Sequence, residues 1–380
     1  MKNQCKKKIV CLLLAAALML CLCACGNKAS EDGAASKDGT HVVMDHRDIE
    51  VTVPNEVNRI VVCDILPLPS VLTVFFDSAS KIVGMSQPSL TAAQNGLLGE
   101  LYPEILNVET GFIDGTNVNI EELMKLQPDV VFYSASSPEL GDKLLNAGFA
   151  AVAISVNKWD YNCIETLDHW IELIGQIFPE NDKAEQVKKY SAEALDMVNE
   201  RLETVPESER PRAFFLFKYD ESTLMTSGGQ FFGQWWADAI GAVNVGSELQ
   251  TDNSVTVNME QVYAWNPDLI FVTNFTTAGP DDLYQNTVGG YDWSAVDAVQ
   301  NGRVYKMPLG MYRSYTPGVD TPVTLLWMAQ TAYPDLFEDV DIVQAAKNYY
   351  KDVFGIELTE AQVSSIFAPS VAGGSGFEYQ

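Results

Sequence analysis

The chain has 380 residues, with 51 Asp and Glu against 24 Lys and Arg, a formal net charge of −27 and a mean hydropathy of −0.01. That length allows two domains of ordinary size, and the acidic balance argues against nucleic acid as a partner. Five of the seven cysteines fall within the first 25 residues, so Cys63 and Cys163 alone remain in the body, too few for a disulfide scaffold.

The N-terminus has the pattern of a secretory signal. Four lysines precede an apolar run over residues 9–22, which is too short to span a bilayer comfortably. The run ends in Leu22-Cys23-Ala24-Cys25-Gly26, which resembles a bacterial lipobox. We therefore expect a signal peptide over residues 1–24, diacylglycerol on Cys25 and a flexible tether over residues 25–40. The protein would then be lipid-anchored on the extracytoplasmic face of the cell membrane; the alternative is an ordinary signal peptide with an incidental cysteine.

The body alternates short apolar runs with helical stretches, which predicts α/β lobes with parallel sheets covered on both faces. After a hairpin over residues 42–53, strands are predicted at residues 59–63, 81–85, 129–133, 151–155, 212–217, 269–273 and 303–307. Residues 182–204 lack Gly and Pro and have helical periodicity, so they predict one long helix of roughly 34 Å. The predicted domains are an N-terminal lobe over 41–180, a connecting helix over 181–205, a C-terminal lobe over 206–366 and a disordered tail over 367–380.

An internal repeat supports two similar lobes. Residues 119–132 and 258–271 share Asn, Glu, Pro, Asp and Phe in register. Each unit predicts an Asn-capped short helix, a first-turn glutamate (Glu121 or Glu260), a terminating proline and a buried strand.

Together with the openings Val51-Thr52-Val53-Pro54 and Arg59-Ile60-Val61, and with the late segment over residues 293–305, these units resemble the substrate-binding lipoproteins of ABC importers for iron complexes (siderophores), haem and corrinoids, the class III periplasmic binding proteins. The resemblance implies two Rossmann-like α/β lobes, a single long connecting helix and a ligand cleft between the lobes. It also implies a monomer without enzymatic activity or cofactor, whose partners are the ABC permease and ATPase subunits. Glu121 and Glu260 match the family's glutamates that dock onto permease arginines, although helix stabilisation alone would also explain them.

The ligand residues are predicted from loops that follow the strands, because ligands of open parallel sheets bind at the carboxyl ends. These loops are rich in aromatics, which suit a ring-bearing ligand. Arg313 could hold a carboxylate, catecholate or propionate, and the alternative is a salt bridge to a neighbouring loop. The predicted ligand-binding set is Trp159, Tyr219, Trp235, Tyr312, Arg313 and Tyr315. Of the adjacent Trp235 and Trp236, at most one can face the cleft.

A bare transition metal is not expected, because the three histidines His41, His46 and His169 cannot converge on a cleft. No metal site is therefore predicted. A ferric siderophore is the leading ligand, followed by haem, for which Tyr312 or Tyr315 could supply a ligand to iron, and then by a corrinoid. The sequence lacks the common catalytic motifs. A ligand-sensing lipoprotein without a transport role remains the other alternative.

Overall fold

The computed structural model describes residues 39–179 and 183–377. The strands are β1 Thr40–Met44, β2 Glu50–Pro54, β3 Ile60–Val62, β4 Ile82–Gly84, β5 Ile113–Asp114, β6 Asn117–Val118, β7 Val130–Ser134, β8 Ala151–Ile154, β9 Arg212–Tyr219, β10 Leu224–Ser227, β11 Val243–Asn244, β12 Ser254–Thr256, β13 Leu269–Val272 and β14 Val304–Lys306. The helices are α1 Leu68–Phe76, α2 Gln87–Asn95, α3 Leu97–Leu101, α4 Ile120–Lys125, α5 Pro138–Asn146, α6 Cys163–Ile177, α7 Lys183–Leu202, α8 Phe232–Ala239, α9 Met259–Trp265, α10 Pro280–Gln285, α11 Asp297–Gln300, α12 Thr321–Ala332, α13 Ile342–Phe354 and α14 Glu360–Phe367. Short 3₁₀ helices cover Pro103–Asn107, Glu207–Glu209 and Val371–Gly374.

The N-terminal lobe contains a parallel sheet in the order β4-β3-β7-β8. Successive strand residues alternate between two hydrophobic clusters: Ile60 and Val62 belong to one, whereas Val61 and Cys63 belong to the other. Both faces of the sheet are thus covered, which is why its strands appear in the sequence as continuous apolar runs. Cys63 is a buried free thiol, as is Cys163 in α6.

The C-terminal lobe repeats this plan with additions. Strands β9, β13 and β14 are parallel, while β10 and β12 extend the sheet in antiparallel fashion and β11 pairs with the start of β9. Phe215 and Phe271 pack on one face of this sheet, and Phe214 and Ile270 on the other. The predicted fold class, two α/β lobes with parallel cores, is confirmed.

Helix α7 joins the lobes. It has 20 residues and therefore extends about 30 Å. Val187 near its start belongs to the core of the N-terminal lobe, whereas Ala194 and Val198 belong to the core of the C-terminal lobe. One stiff element thus contributes to both cores, as the predicted connecting helix requires.

The repeated units have the same hydrogen bonds. Asn119 and Asn258 each cap their helix, α4 and α9 respectively. The aspartates that follow accept from the main chain at the start of the neighbouring strand: Asp129 from Arg59 N at 2.9 Å and Asp268 from Arg212 N at 2.8 Å. The side chains of the same arginines donate to the last carbonyls of α4 and α9, so each repeat is a helix–strand unit tied to its neighbouring strand at both ends.

The C-terminal segment differs from its predicted assignment. The buried side chains of α13 and α14 belong to the N-terminal core, although α13 also contacts α12: Tyr349, Tyr350, Val353 and Ile366 share a hydrophobic cluster with the N-terminal sheet. The predicted lobe boundary followed the order of the chain, which does not indicate the lobe against which these helices pack. The predicted 206–366 lobe is corrected accordingly.

The tail is also ordered where the structure describes it. Residues 371–374 form a 3₁₀ helix, and Gly373 and Gly374 are buried. The glycine-rich composition suggested disorder. In the structure the backbone of Gly374 packs so closely on Thr276 that a Cβ would lie 2.1 Å from the Thr276 carbonyl oxygen, so only glycine fits there.

The predicted signal peptide, Cys25 and most of the tether lie outside the described residues. Among residues 39–179 and 183–377, no helix has the length and apolar character required to cross a bilayer.

Candidate functional site

A cavity of about 240 Å³ lies between the lobes, lined by residues at or beyond the ends of parallel strands. Its N-terminal wall includes Asp64 after β3, Ser134 at the end of β7 and Val156 after β8. Its other wall is mainly aromatic, with Asn253 and Thr316 beside the rings of Phe217, Phe231, Phe232, Phe275, Tyr312 and Phe377. We call this the central cavity, and its position agrees with the rule that ligands bind outside the carboxyl ends of such strands.

Two further cavities flank it. The tryptophan-side cavity, about 650 Å³, shares Phe231 with the central cavity and contains Trp159 and Trp235. The tail-side cavity, about 470 Å³, shares Asp64, Leu66 and Phe377 with the central cavity. Both flanking cavities therefore adjoin the central one, and together they form an interlobe cleft.

Trp159 reaches the cleft from an unusual loop. The next two residues, Asp160 and Tyr161, both have left-handed backbones, with φ of 50° and 57°, a strained conformation for non-glycine residues. The indole ring stacks on His169 at 4.2 Å and meets the edge of His46 at 4.9 Å. Trp159 is thus held rigidly beside the tryptophan-side cavity.

The histidines require a correction. His46 and His169 do converge on the edge of the cleft, because both pack on Trp159. His46 Nδ1 accepts from Ser155 N at 3.0 Å, and burial, with the nearby charge of Lys158, lowers the pKa of His46 to about 4. In the part of the chain that the structure describes, no cluster of three or more His, Cys, Asp or Glu could hold a metal ion.

The adjacent tryptophans divide as the helical geometry predicts. Trp235 lines the tryptophan-side cavity, whereas Trp236 is fully buried and donates from Nε1 to the carbonyl of Tyr315 at 2.9 Å. The two side chains therefore have different roles, one at the cleft and one in the core.

Arg313 lies directly behind the aromatic wall and is fully buried. Its Nη1 donates to the hydroxyl of Tyr312, which lines the central cavity, at 3.2 Å. Its Nε donates to Gly373 O at 3.0 Å and its Nη2 to Ser375 O at 3.2 Å. These three acceptors are neutral, and two of them belong to the tail; among the described residues Arg313 makes no salt bridge to a neighbouring loop, which was the alternative interpretation.

A second buried cation lies near Arg313. Lys306, at the end of β14, donates to the carbonyls of Thr273, Thr276 and Ala278, each at 2.8 Å. Burial and the charge of Arg313 lower the pKa of Lys306 to about 7. The C-terminal side of the cleft is therefore backed by two basic side chains that donate to main-chain carbonyls.

Two predicted ligand residues are not at the cleft surface. Tyr219 is buried within its lobe, where its hydroxyl donates to Val288 O at 3.1 Å and accepts from Trp293 Nε1 at 2.9 Å. Tyr315 is fully buried behind Phe217 and Phe232, and burial raises its pKa. Both tyrosines lie at or after the end of a strand, as the prediction requires. Position in the sequence does not determine the direction in which a side chain points.

Sequence reasoning did not single out Asp64 or Phe377. Asp64 accepts from Ser134 N at 2.6 Å and from Ser137 Oγ at 2.8 Å, and burial raises its pKa. The available signal was its position immediately after a buried strand. Phe377 had no such signal, since it lies in a glycine-rich tail.

Glu121 and Glu260 are both exposed in the first turns of α4 and α9. They occupy equivalent positions in the two repeats, one in each lobe. The structure thus leaves both carboxylates accessible to a partner.

The family model for the periplasmic binding proteins matches residues 100–309, more than half of the chain. The chain belongs to this family. A solved periplasmic solute-binding protein from Veillonella parvula is 30% identical, with a TM-score of 0.77 over 87% of this chain and 97% of that one. The chain is accordingly the extracytoplasmic substrate-binding protein of an ABC importer, of the class III fold, and its relatives are carriers rather than enzymes.

One relative has a named ligand, and another has none. The molybdate-binding protein MolA of Haemophilus influenzae is 26% identical over 338 residues, 82% of this chain and 90% of the relative. Its molybdate-bound structure is 25% identical and has a TM-score of 0.70 over 84% of this chain and 99% of that one. The ABC transporter substrate-binding lipoprotein YvrC of Bacillus subtilis, described as uncharacterized, is 27% identical over 337 residues, 86% of this chain and 97% of the relative.

Proposed function

We propose that this binding protein captures an anionic metal chelate, with a ferric siderophore as the leading ligand, and delivers it to the permease of its importer. The observation that carries the proposal is the central cavity with its aromatic wall, formed by side chains from both lobes. Apolar, ring-lined walls favour an organic, ring-bearing ligand over a naked ion. The buried guanidinium of Arg313 behind the wall favours a negative charge on that ligand.

A molybdate-type oxyanion is the second candidate. The relationship to MolA favours it, and so does Arg313, whose guanidinium donates only to neutral acceptors in the contacts described above. Haem and corrinoids are further ligands of the same receptor type; like a ferric siderophore, they would have to occupy the flanking cavities as well as the central one. A sensing role without transport is distinguished by uptake assays in a deletion strain.

The cellular location of the protein is part of the same proposal. Acylated Cys25 would anchor a monomeric receptor on the outer face of the cell membrane, where it remains beside its permease. Replacement by C25S should abolish incorporation of labelled fatty acid into the protein while ligand binding is unchanged. Equal labelling of the wild-type and C25S proteins would contradict the anchor.

The ligand is tested by quenching of tryptophan fluorescence in the mature chain, since Trp159 and Trp235 line the cleft. We expect a ferric siderophore to saturate the signal and Phe231→Ala to weaken its binding by about tenfold or more, because that ring lines two cavities. Phe76→Ala is the matched control, since Phe76 lines a cavity with Asn55 and Phe178, away from the cleft. If only molybdate saturated the signal, the ligand would be an oxyanion and the proposed metal chelate would be wrong.

A further inference from the structure

The last described residues of the chain cover the arginine behind the cleft. We call residues 371–377 the C-terminal latch. Its carbonyls at Gly373 and Ser375 accept from Arg313, whose guanidinium also lies 5.9 Å from the ring centroid of Phe377. Phe377 in turn packs on Phe275 with ring centroids 4.7 Å apart. The latch therefore contacts the cleft through both its backbone and a side chain.

The fit of the latch is specific. A Cβ on Gly373 would lie 2.4 Å from Leu309 Cδ2, and a Cβ on Gly374 would lie 2.1 Å from the carbonyl oxygen of Thr276. Atoms cannot approach so closely, and the second obstacle is backbone, which cannot rotate away. Both glycines are thus required for the latch to dock, which distinguishes this arrangement from a tail that lies loosely on a surface.

The latch also connects the two lobes. On the C-terminal lobe it contacts Arg313 and the Thr276 loop. On the N-terminal lobe Gly376 lies against Thr91 of α2, and Phe377 lines two cavities together with Asp64. A segment that contacts both sides of the cleft must move, or must be accommodated, when a ligand enters.

The chemistry of Arg313 indicates which of these happens. The latch offers neutral carbonyl acceptors to Nε and Nη2. An oxyanion or carboxylate accepts from the same fork in bidentate geometry and adds the attraction of opposite charges, which the neutral carbonyls lack. Latch and ligand would therefore compete for the same donors, and the anion would be the stronger competitor once it reaches them.

We propose that the C-terminal latch is an autoinhibitory closure of the ligand site: it occupies the guanidinium of Arg313 in the unliganded protein and is displaced when an anionic ligand takes its place. This inference rests on the proposed function in one respect, the negative charge of the ligand. The blocking of Arg313 by the latch does not depend on that charge and can be tested without any ligand.

The first test measures the rate at which phenylglyoxal modifies Arg313, by mass spectrometry of the mature chain. We expect slow modification in the full chain and a rate higher by about tenfold or more when the chain ends at Ser370, because the latch shields the fork. Gly374→Ala should also accelerate it, whereas Gly111→Ala, which meets nothing within 4 Å, should not. Modification of exposed Arg212 and the circular dichroism spectrum serve as controls for folding.

Equal rates at Arg313 in the full and shortened chains, or in Gly374→Ala and Gly111→Ala, would overturn the latch. The second test titrates the same proteins with sodium molybdate and with ferric enterobactin. We expect removal of the latch to raise the affinity and the association rate for the anion that binds, by about tenfold. Weaker binding by the shortened chain would show that the latch is a permanent wall of the binding site, and it would overturn the autoinhibitory role. If neither anion binds any variant, an anionic ligand of these kinds is refuted, and with it the displacement step, while the modification rates still report whether the latch blocks Arg313.

Discussion

The two lobes share one framework but present different chemistry to the cleft. In both, an asparagine caps the helix, and an aspartate ties the next strand to its neighbour, as Asp129 and Asp268 do. The cleft surfaces do not follow this symmetry. The N-terminal lobe contributes the carboxyl group of Asp64, whereas the C-terminal lobe contributes a wall of aromatic rings.

The difference shows which parts of a duplicated lobe are constrained. The bonds that hold helix and strand together are needed in both copies, because without them each unit loses its internal ties. The loops at the carboxyl ends of the strands do not hold the lobe together, so their sequences can diverge to suit a ligand. Shared chemistry in the two lobes should therefore serve folding or a partner that contacts both, while unshared chemistry should serve the ligand.

The largest expected effect concerns the shared exposed carboxylates. The double variant Glu121→Arg with Glu260→Arg should abolish uptake, because both lobes would present the wrong charge to the permease, while ligand affinity stays unchanged. Uptake of labelled ligand by cells and binding to the purified protein are the two measurements.

The matched control replaces Glu139 and Asp281 by arginine. Both are exposed, one in each lobe, and both lie in the first turn of a helix, α5 and α10. The control should retain uptake. Equal loss of uptake in both double variants would mean that the change in net charge, and not the loss of docking, stops uptake.

The sequence predicts the framework well because buried parallel strands are continuous apolar runs. The strands β3, β7, β8 and β13 lie within one residue of their predicted positions. Strand β10 was missed, since Leu224–Ser227 is short and mixes polar with apolar residues although all four are buried. Helices α13 and α14 lie within the predicted bounds of the C-terminal lobe, yet their buried side chains belong to the N-terminal core, because order along the chain does not identify the packing partner.

The candidate site is predicted less completely, for physical reasons. The rule for strand ends found the loops that carry Trp159 and Tyr312 and the loop that precedes the helix of Trp235. It could not show that Tyr219 points into its own lobe, where its hydroxyl bonds to Trp293. Nor could it find Phe377, which reaches the cleft through long-range packing that no local pattern records.

The second prediction concerns acid stability at the N-terminal side of the cleft. The pKa of His46 is lowered by burial to about 4 in the folded protein, against about 6.5 in the unfolded chain. As the pH falls between these values the unfolded state binds the proton first, so stability present at neutral pH is lost. The loss attributable to His46 should be about 2 to 3 kcal/mol.

His46→Asn tests this, because an amide oxygen can still accept from Ser155 N but does not titrate. Urea unfolding of both proteins at about pH 7 and about pH 4 measures the difference. The neighbours Lys158, Asp48 and His169 are present in both proteins, so the contrast isolates His46. An identical pH dependence in the two proteins would contradict the prediction.

The smallest effect compares the two helix caps directly. Asn119 accepts from two main-chain amides, of Glu121 at 3.0 Å and Glu122 at 3.2 Å, whereas Asn258 accepts from one, of Gln261 at 2.9 Å. Each change to alanine should cost about 1 kcal/mol in the free energy of unfolding, with the larger cost at Asn119, because more amides lose their acceptor. The costs should add in the double variant, since the caps lie in different lobes. A larger cost at Asn258 would mean that the framework is less symmetric in energy than it is in geometry.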